Sequence, residues 1–222
     1  MKLCTALRTL FLSGALAAGI PAQANLLANG SFELGAFVNE GNDTMSPPAG
    51  STVITGWTVV ADTTAWIGPT NPFGLTASDG SFFLDLTNYQ AGAPFAGVTQ
   101  IVATTPGATY SLSFDLGSSS QWGLPDSLTA SAGGTSLTFT SPTTGIDIWT
   151  HEALQFVASS ATTTVLLLGA GGVNYIGLDN VDLELVSGSG TGPGTGQVPE
   201  PGTLCLLAVA LAGVPLVRRR KT

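Results

Sequence analysis

Apolar and polar residues alternate strictly through "ATYSLSFDLG", which places Tyr110, Leu112, Phe114 and Leu116 on one face and Ser111, Ser113 and Asp115 on the other. "NVDLELV" repeats the pattern, with Val181, Leu183 and Leu185 directed inward and Asp182 and Glu184 outward. The runs "TVITGWTVV", "SFFLDLT", "GVTQIVATT", "SLTASA", "TSLTFT", "EALQFVA" and "TTTVLLLG" are rich in Val, Thr, Phe and Leu, and each is closed by Gly, Pro, Asn or Ser. "GGT" at 133–135 fits a hairpin turn between two of them. No stretch between the two ends sustains a helical period with a cap. The pattern predicts an all-β protein, a jelly-roll β-sandwich of about nine to eleven strands.

The two ends read differently. Lys2 and Arg8 precede an apolar stretch through Leu10, Phe11 and Leu12 to Ile20, and Ala22-Gln23-Ala24 offers small residues for cleavage before Asn25. Residues 1–24 are therefore expected to be a secretory signal peptide, with a helical core. After the sandwich at 25–186, "SGSGTGPGTGQ" at 187–197 has no apolar residue to pack and reads as a flexible linker. Residues 198–222 hold Val198-Pro199-Glu200-Pro201, an apolar run from Thr203 to Val217, and then Arg218, Arg219, Arg220 and Lys221. As a helix the apolar run spans roughly 22 Å, short of a hydrocarbon core of about 30 Å. It would make a short transmembrane segment whose basic end stays on the cytoplasmic side.

Charge narrows the function. All six basic residues lie outside 25–186, whereas Glu200 is the one acidic residue outside it, so thirteen of the fourteen carboxylates sit in a domain without Lys or Arg. Nucleic acid is excluded as a partner, because phosphate neutralisation needs Lys or Arg. Phosphorylated ligands and anionic lipid surfaces are disfavoured for the same reason. Unpaired carboxylates instead suit a hard cation such as calcium. Cys4 and Cys205 fall in the two end segments, which leaves the domain without a disulfide or a thiol.

Catalysis finds little support. His151 is the lone histidine and stands in the alternating "WTHEALQF", no "GxSxG" elbow occurs, and His clusters for a metal hydrolase are missing. Two carboxylates would suffice for glycoside hydrolysis, but a small sandwich with short loops is expected to leave little room for a deep cleft. The expectation is a protein that is not an enzyme. Binding a sugar needs exposed aromatic faces beside amides and carboxylates. Trp57 reads as core and Trp149 as ambiguous. Trp122, in "GSSSQWGLPDS" with Gln121 and Asp126 at hand, is the foremost stacking candidate, followed by Trp66 in "TTAWIGPTNPFG" and Tyr89 in "TNYQAGAPFAG".

Two resemblances sharpen these readings. The tail, with its Val198-Pro199-Glu200-Pro201 motif, apolar run and arginines, resembles the PEP-CTERM sorting signal of Gram-negative bacteria. That resemblance implies recognition by an exosortase, a membrane-embedded cysteine protease. The precursor would be tethered transiently in the inner membrane, and the mature form released to the envelope or outside. "NLLANGSFELG", "GSTVITGWTVV", "AWIG", "SDGSFFLDL", "GVTQIVATTPGATYSLSFDLG" and "GLDNVDLELV" occur in the order seen in the choice-of-anchor C family. This family is similar to plant cell-wall proteins with galactose-binding-like domains and to carbohydrate-binding modules. The resemblance implies a jelly roll whose first and last strands pair near a structural calcium site, and polysaccharide or exopolysaccharide as the partner. Glu33 and Asp179 are the expected ligands for that ion. Three readings stay open: a glycan-binding envelope or matrix protein, a structural surface or biofilm protein without a discrete site, and a carbohydrate-active hydrolase.

Overall fold

The structure, a computed structural model, describes residues 24–188. The expected signal peptide apart from Ala24, nearly all of the linker and the sorting tail lie outside the described residues. Among the described residues no helix is long and apolar enough to cross a membrane.

The described residues form eleven strands, in chain order β1 (Thr44–Met45), β2 (Thr58–Val60), β3 (Ala65–Ile67), β4 (Phe83–Asp85), β5 (Gly97–Ala103), β6 (Thr109–Ser118), β7 (Ser127–Ala132), β8 (Thr135–Thr140), β9 (Ile148–Val157), β10 (Thr162–Gly171) and β11 (Gly177–Ser187). They build a six-stranded sheet in the order β1-β3-β4-β11-β6-β9 and a five-stranded sheet in the order β2-β5-β10-β7-β8. The antiparallel pairs are nested about the β7–β8 hairpin: β7 with β8, β6 with β9, β5 with β10 and β4 with β11. A long hairpin rolled up in this way, with its successive pairs dealt alternately to two sheets, is a jelly roll. The fold expected from the alternating runs is the one that forms.

Period-two patterning explains the core. Tyr110, Leu112, Phe114 and Leu116 of β6 are buried, as are Val181 and Leu183 of β11, and they meet Val98 and Val102 of β5, Leu128 and Ala130 of β7 and Val165 and Leu167 of β10. Each fully buried apolar side chain of this size contributes roughly 1.5–3 kcal/mol relative to exposure. "TVITGWTVV" does not extend as one strand. Gly56 adopts a left-handed φ of +85°, the chain turns, and only Thr58–Val60 pairs with β5. Residues 53–55 bond instead to 34–36, through Ala36 N–H to Val53 O at 2.9 Å and Thr55 N–H to Leu34 O at 2.9 Å.

The N-terminal segment is a strap along β11. Asn25 Nδ2 donates to Val181 O at 2.8 Å, while its Oδ1 accepts from Leu183 N–H at 3.0 Å. Leu26 N–H donates to Leu183 O at 2.9 Å and Val181 N–H to Gly30 O at 2.9 Å. The register of β11 against β6 shifts between Asp179 and Asp182 at this place. Gly30 fits so closely that a Cβ there would lie 1.9 Å from Val181 O.

The loops are not uniformly short, contrary to the sequence-based expectation. Residues 68–82, between β3 and β4, fold back over the outer face of the six-stranded sheet. They complete a second apolar cluster of Ala65, Ile67, Leu75, Phe83 and Tyr175, flanked by Phe73, Trp122 and Trp149. Trp149 Nε1 holds this loop by donating to Thr76 O at 2.9 Å, and Asp147 accepts from the Thr76 hydroxyl at 2.6 Å.

Candidate functional site

Nested pairing brings the β4–β5, β6–β7 and β10–β11 connections to one end of the sandwich, where the 68–82 loop joins them. Asn174 ties three of these loops together: its N–H donates to Gln90 O at 2.8 Å and its side-chain amide to Trp122 O at 3.1 Å. Between them opens a cleft of about 500 Å³ with aromatic walls of Phe73, Tyr89 and Trp122 and with Asn42, Asn174 and Asp85 among its polar groups. Phe73 is the hub. Its ring centre lies 5.5 Å from that of Tyr89 and 5.9 Å from that of Trp122, the latter pair edge-to-face at 89°. Tyr89 keeps 40% of its surface exposed, and the indole Nε1 of Trp122 is buried without a hydrogen-bond partner.

Asp85 sets the shape of the cleft. It is fully buried, and its carboxylate accepts from Thr87 N–H at 2.9 Å, Ile176 N–H at 3.0 Å and Tyr89 N–H at 3.2 Å. One side chain thereby fixes the β4–β5 loop, with Tyr89 at a left-handed φ of +65°, against the start of β11. Burial pushes the Asp85 carboxyl up to about 6 despite these donors, and pushes the Tyr89 phenol up to about 12. Asp126 is more extreme. Both of its carboxylate oxygens are buried without a partner, and burial, helped by the charge of Asp85, raises it to about 8.

Of the residues expected to bind sugar, Trp122 and Tyr89 share this cleft, and Gln121 is exposed next to Trp122. Trp66 does not belong to it: the side chain is 1% exposed in the main core, its Nε1 donating to Phe32 O at 3.0 Å and its ring packed edge-on by Phe37. No sugar can stack there. Asp126 is fully buried, does not line the cleft and presents no surface to a ligand. Phe73, Asn42, Asn174 and Asp85 were not among the expected site residues. Phe73 carried a readable cue, an aromatic between Pro72 and Gly74 in a polar loop, whereas the asparagines are placed by loop contacts distant in sequence.

Glu33 and Asp179 do come to one loop, residues 78–82, but as acceptors of its amides. Glu33 Oε1 accepts from Ser81 and Phe82 N–H, each at 2.7 Å, and Asp179 Oδ2 from Ser78 N–H at 2.8 Å and Asp79 N–H at 2.9 Å. Asp179 lies within β11. Glu33 Oε1 and Asp179 Oδ2 are thus each occupied by two backbone N–H groups, and Asn180 N–H donates to Asp179 Oδ1 at 2.7 Å. Among the described residues no group of three or more His, Cys, Asp or Glu side chains is placed to hold a metal. His151 is satisfied on the outer face of the six-stranded sheet, Nδ1 2.8 Å from Asp115 Oδ1, with Asn180 donating to the other Asp115 oxygen at 3.1 Å.

The family described as "Protein of unknown function (DUF642)" matches residues 25–174, more than half of the chain. The chain belongs to the DUF642 family. Behind this DUF642 domain, residues 197–221 match the PEP-CTERM protein-sorting motif, which marks the chain as a secreted protein with a C-terminal sorting tail. No curated protein matches the sequence. Among solved structures, the DUF642 chain is similar to TmCBM61 in complex with β-1,4-galactotriose, at 19% identity and a TM-score of 0.44 over 73% of this chain and 99% of that one. A family 35 carbohydrate binding module from Clostridium thermocellum is similar at 11% identity and a TM-score of 0.43, over 65% of this chain and 98% of that one.

Proposed function

We propose that this secreted protein binds a neutral polysaccharide without cleaving it, through the cleft of Phe73, Tyr89 and Trp122, and that an exosortase removes its tail on the way to the envelope or extracellular matrix. The observation that carries the reading is the cleft itself, a set of aromatic walls with side-chain amides alongside. Such walls supply dispersion contact to the apolar faces of pyranose rings, and the amides pair with hydroxyls. A domain with thirteen carboxylates and no Lys or Arg would repel a uronate or sulfated chain, which favours a neutral glycan. A non-catalytic role is supported by Asp85. It is the one carboxylate lining the cleft and is buried under its own hydrogen bonds, while glycoside hydrolysis takes two reachable carboxyls about 5–9.5 Å apart.

Affinity electrophoresis of the secreted protein against a panel of neutral polysaccharides tests this. Retardation by at least one glycan is expected, with W122A and Y89A each weakening it roughly tenfold or more as stacking contacts are lost, and without release of reducing ends. A W122A protein that is folded and binds as tightly as the wild type would refute the site. The mass of the secreted species is expected to end near Pro199, and an intact Arg218–Lys221 end would refute processing.

A further inference from the structure

The sandwich has four strand edges among the described residues, and three of them are blunted. β1 is two residues long. β2 is three residues long and its free side is taken by the preceding loop, Gly50 N–H bonding Val59 O at 2.8 Å and Val59 N–H bonding Ser51 O at 2.9 Å. β9 carries His151 and Glu152. The fourth edge, β8, is "TSLTFT", six residues paired to β7 in unbroken register, with no proline, bulge or charge. From Ser127 to Ile146 the chain has no charged residue at all. Folded proteins protect such edges, because a row of free N–H and C=O groups is a template for another strand.

We infer that β8 is the site at which a second copy of this chain adds its own β8, in antiparallel alignment about a twofold axis. The hairpin identifies the free groups. Ala132 and Thr135 close the two-residue turn as a hydrogen-bonded pair, so Thr135, Leu137 and Phe139 bond to β7, and Ser136, Thr138 and Thr140 point their backbone outward. The Ser141 N–H bond to Asp126 O at 2.8 Å continues the same alternation. With the axis through Thr138, Ser136 faces Thr140 of the second copy and Thr138 faces its equivalent, giving three hydrogen-bonded pairs and about six new backbone bonds. The two five-stranded sheets then become one continuous sheet.

Side chains favour the same register. Leu137 lies on the core side of the sheet, opposite Ala130, yet is 50% exposed because the sandwich ends there. In the twofold register it packs directly against Phe139 of the second copy, which extends the existing contact of Phe139 with Phe114, whose ring centres are 5.3 Å apart. The choice of a second copy as occupant rests on charge. Two domains of thirteen carboxylates each repel wherever acids meet, and all five strands of this sheet are free of charge, whereas β4, β6, β9 and β11 of the other sheet carry Asp, Glu or His. A self-complementary edge on the neutral sheet is where two such molecules can approach.

Sedimentation equilibrium of the secreted protein over a dilution series tests the inference. A monomer–dimer equilibrium is expected, and Thr138→Pro, which removes two of the central N–H donors, should raise the dissociation constant roughly tenfold to a hundredfold. Near-UV circular dichroism reports whether that variant is folded. If it is not, Thr138→Lys, which keeps the N–H but sets two like charges on the axis, takes its place with the same expected loss. A wild-type protein that stays monomeric at every concentration, a folded variant that associates as tightly as wild type, or an edge that accepts only a peptide of another protein would overturn the inference. None of these outcomes bears on the glycan cleft, which lies at the loop end.

Discussion

Asp126 is a buried carboxyl with neither a hydrogen bond nor a cation, and this makes stability depend on pH in an unusual direction. Its ordinary value is 3.8 and its folded value about 8, so between those limits the folded chain holds a proton that the unfolded chain has released. The stability associated with that proton is complete below about 3.8 and is lost as pH rises through 8. Asp85, raised to about 6, and Asp179, raised to about 7, slope the same way. The protein is therefore expected to be more stable at pH 5 than at pH 9. In urea titrations, Asp126→Asn, a neutral isostere, should flatten this difference and raise the pH 9 midpoint by the equivalent of about 1–3 kcal/mol. A wild-type midpoint that rises between pH 5 and pH 9 would contradict the assignment.

Among the elements, the 78–82 loop illustrates how an acidic pair can hold a segment through its backbone amides. Glu33 and Asp179 each take two of its backbone N–H groups, so removing either side chain leaves part-buried donors without these partners, at about 1 kcal/mol or somewhat more. Asp179→Ala should lower the thermal midpoint by several degrees, at roughly 2–4 °C per kcal/mol for a domain of this size, while EDTA leaves the wild-type midpoint unchanged. A large drop on chelation would mean that calcium is held here after all. The same loop shows where sequence patterns stop being informative. The long strands β6, β9, β10 and β11 were legible because ten or eleven residues are enough to display a period of two. β3 and β4 have three residues each, too few for a period, and so Trp66 and Trp122 looked alike in their polar surroundings. What separates them is supplied from elsewhere in the chain: Phe37 and Phe82 close over Trp66, and Phe73 props Trp122 at the mouth of the cleft. The sugar-binding candidates could be narrowed to loop aromatics, but their convergence depended on contacts such as Asn174 to Trp122 that no local pattern encodes.

At the scale of the whole molecule, the distribution of charge decides how the domain responds to salt. Residues 25–186 hold thirteen carboxylates and no Lys or Arg, and their one histidine, His151, sets Nδ1 2.8 Å from Asp115 Oδ1. Most folded proteins lose some attraction when salt screens their surface pairs. Here almost nothing attractive is available to lose, and the dominant long-range term is repulsion between carboxylates held in a compact body. Unfolding relieves it by spreading the charges apart. At about 0.01 M salt the screening length is roughly 30 Å, comparable to the span of a small domain, and at 1 M it falls to about 3 Å. Scanning calorimetry of the secreted protein at pH 7 should show a thermal midpoint that climbs from low salt to a few tenths molar sodium chloride, most steeply at the dilute end. Self-association through β8 should strengthen over the same range, since bringing two anionic domains together is opposed by the same field. A midpoint that falls on adding salt would require attractive charge pairs, for which residues 25–186 supply no Lys or Arg.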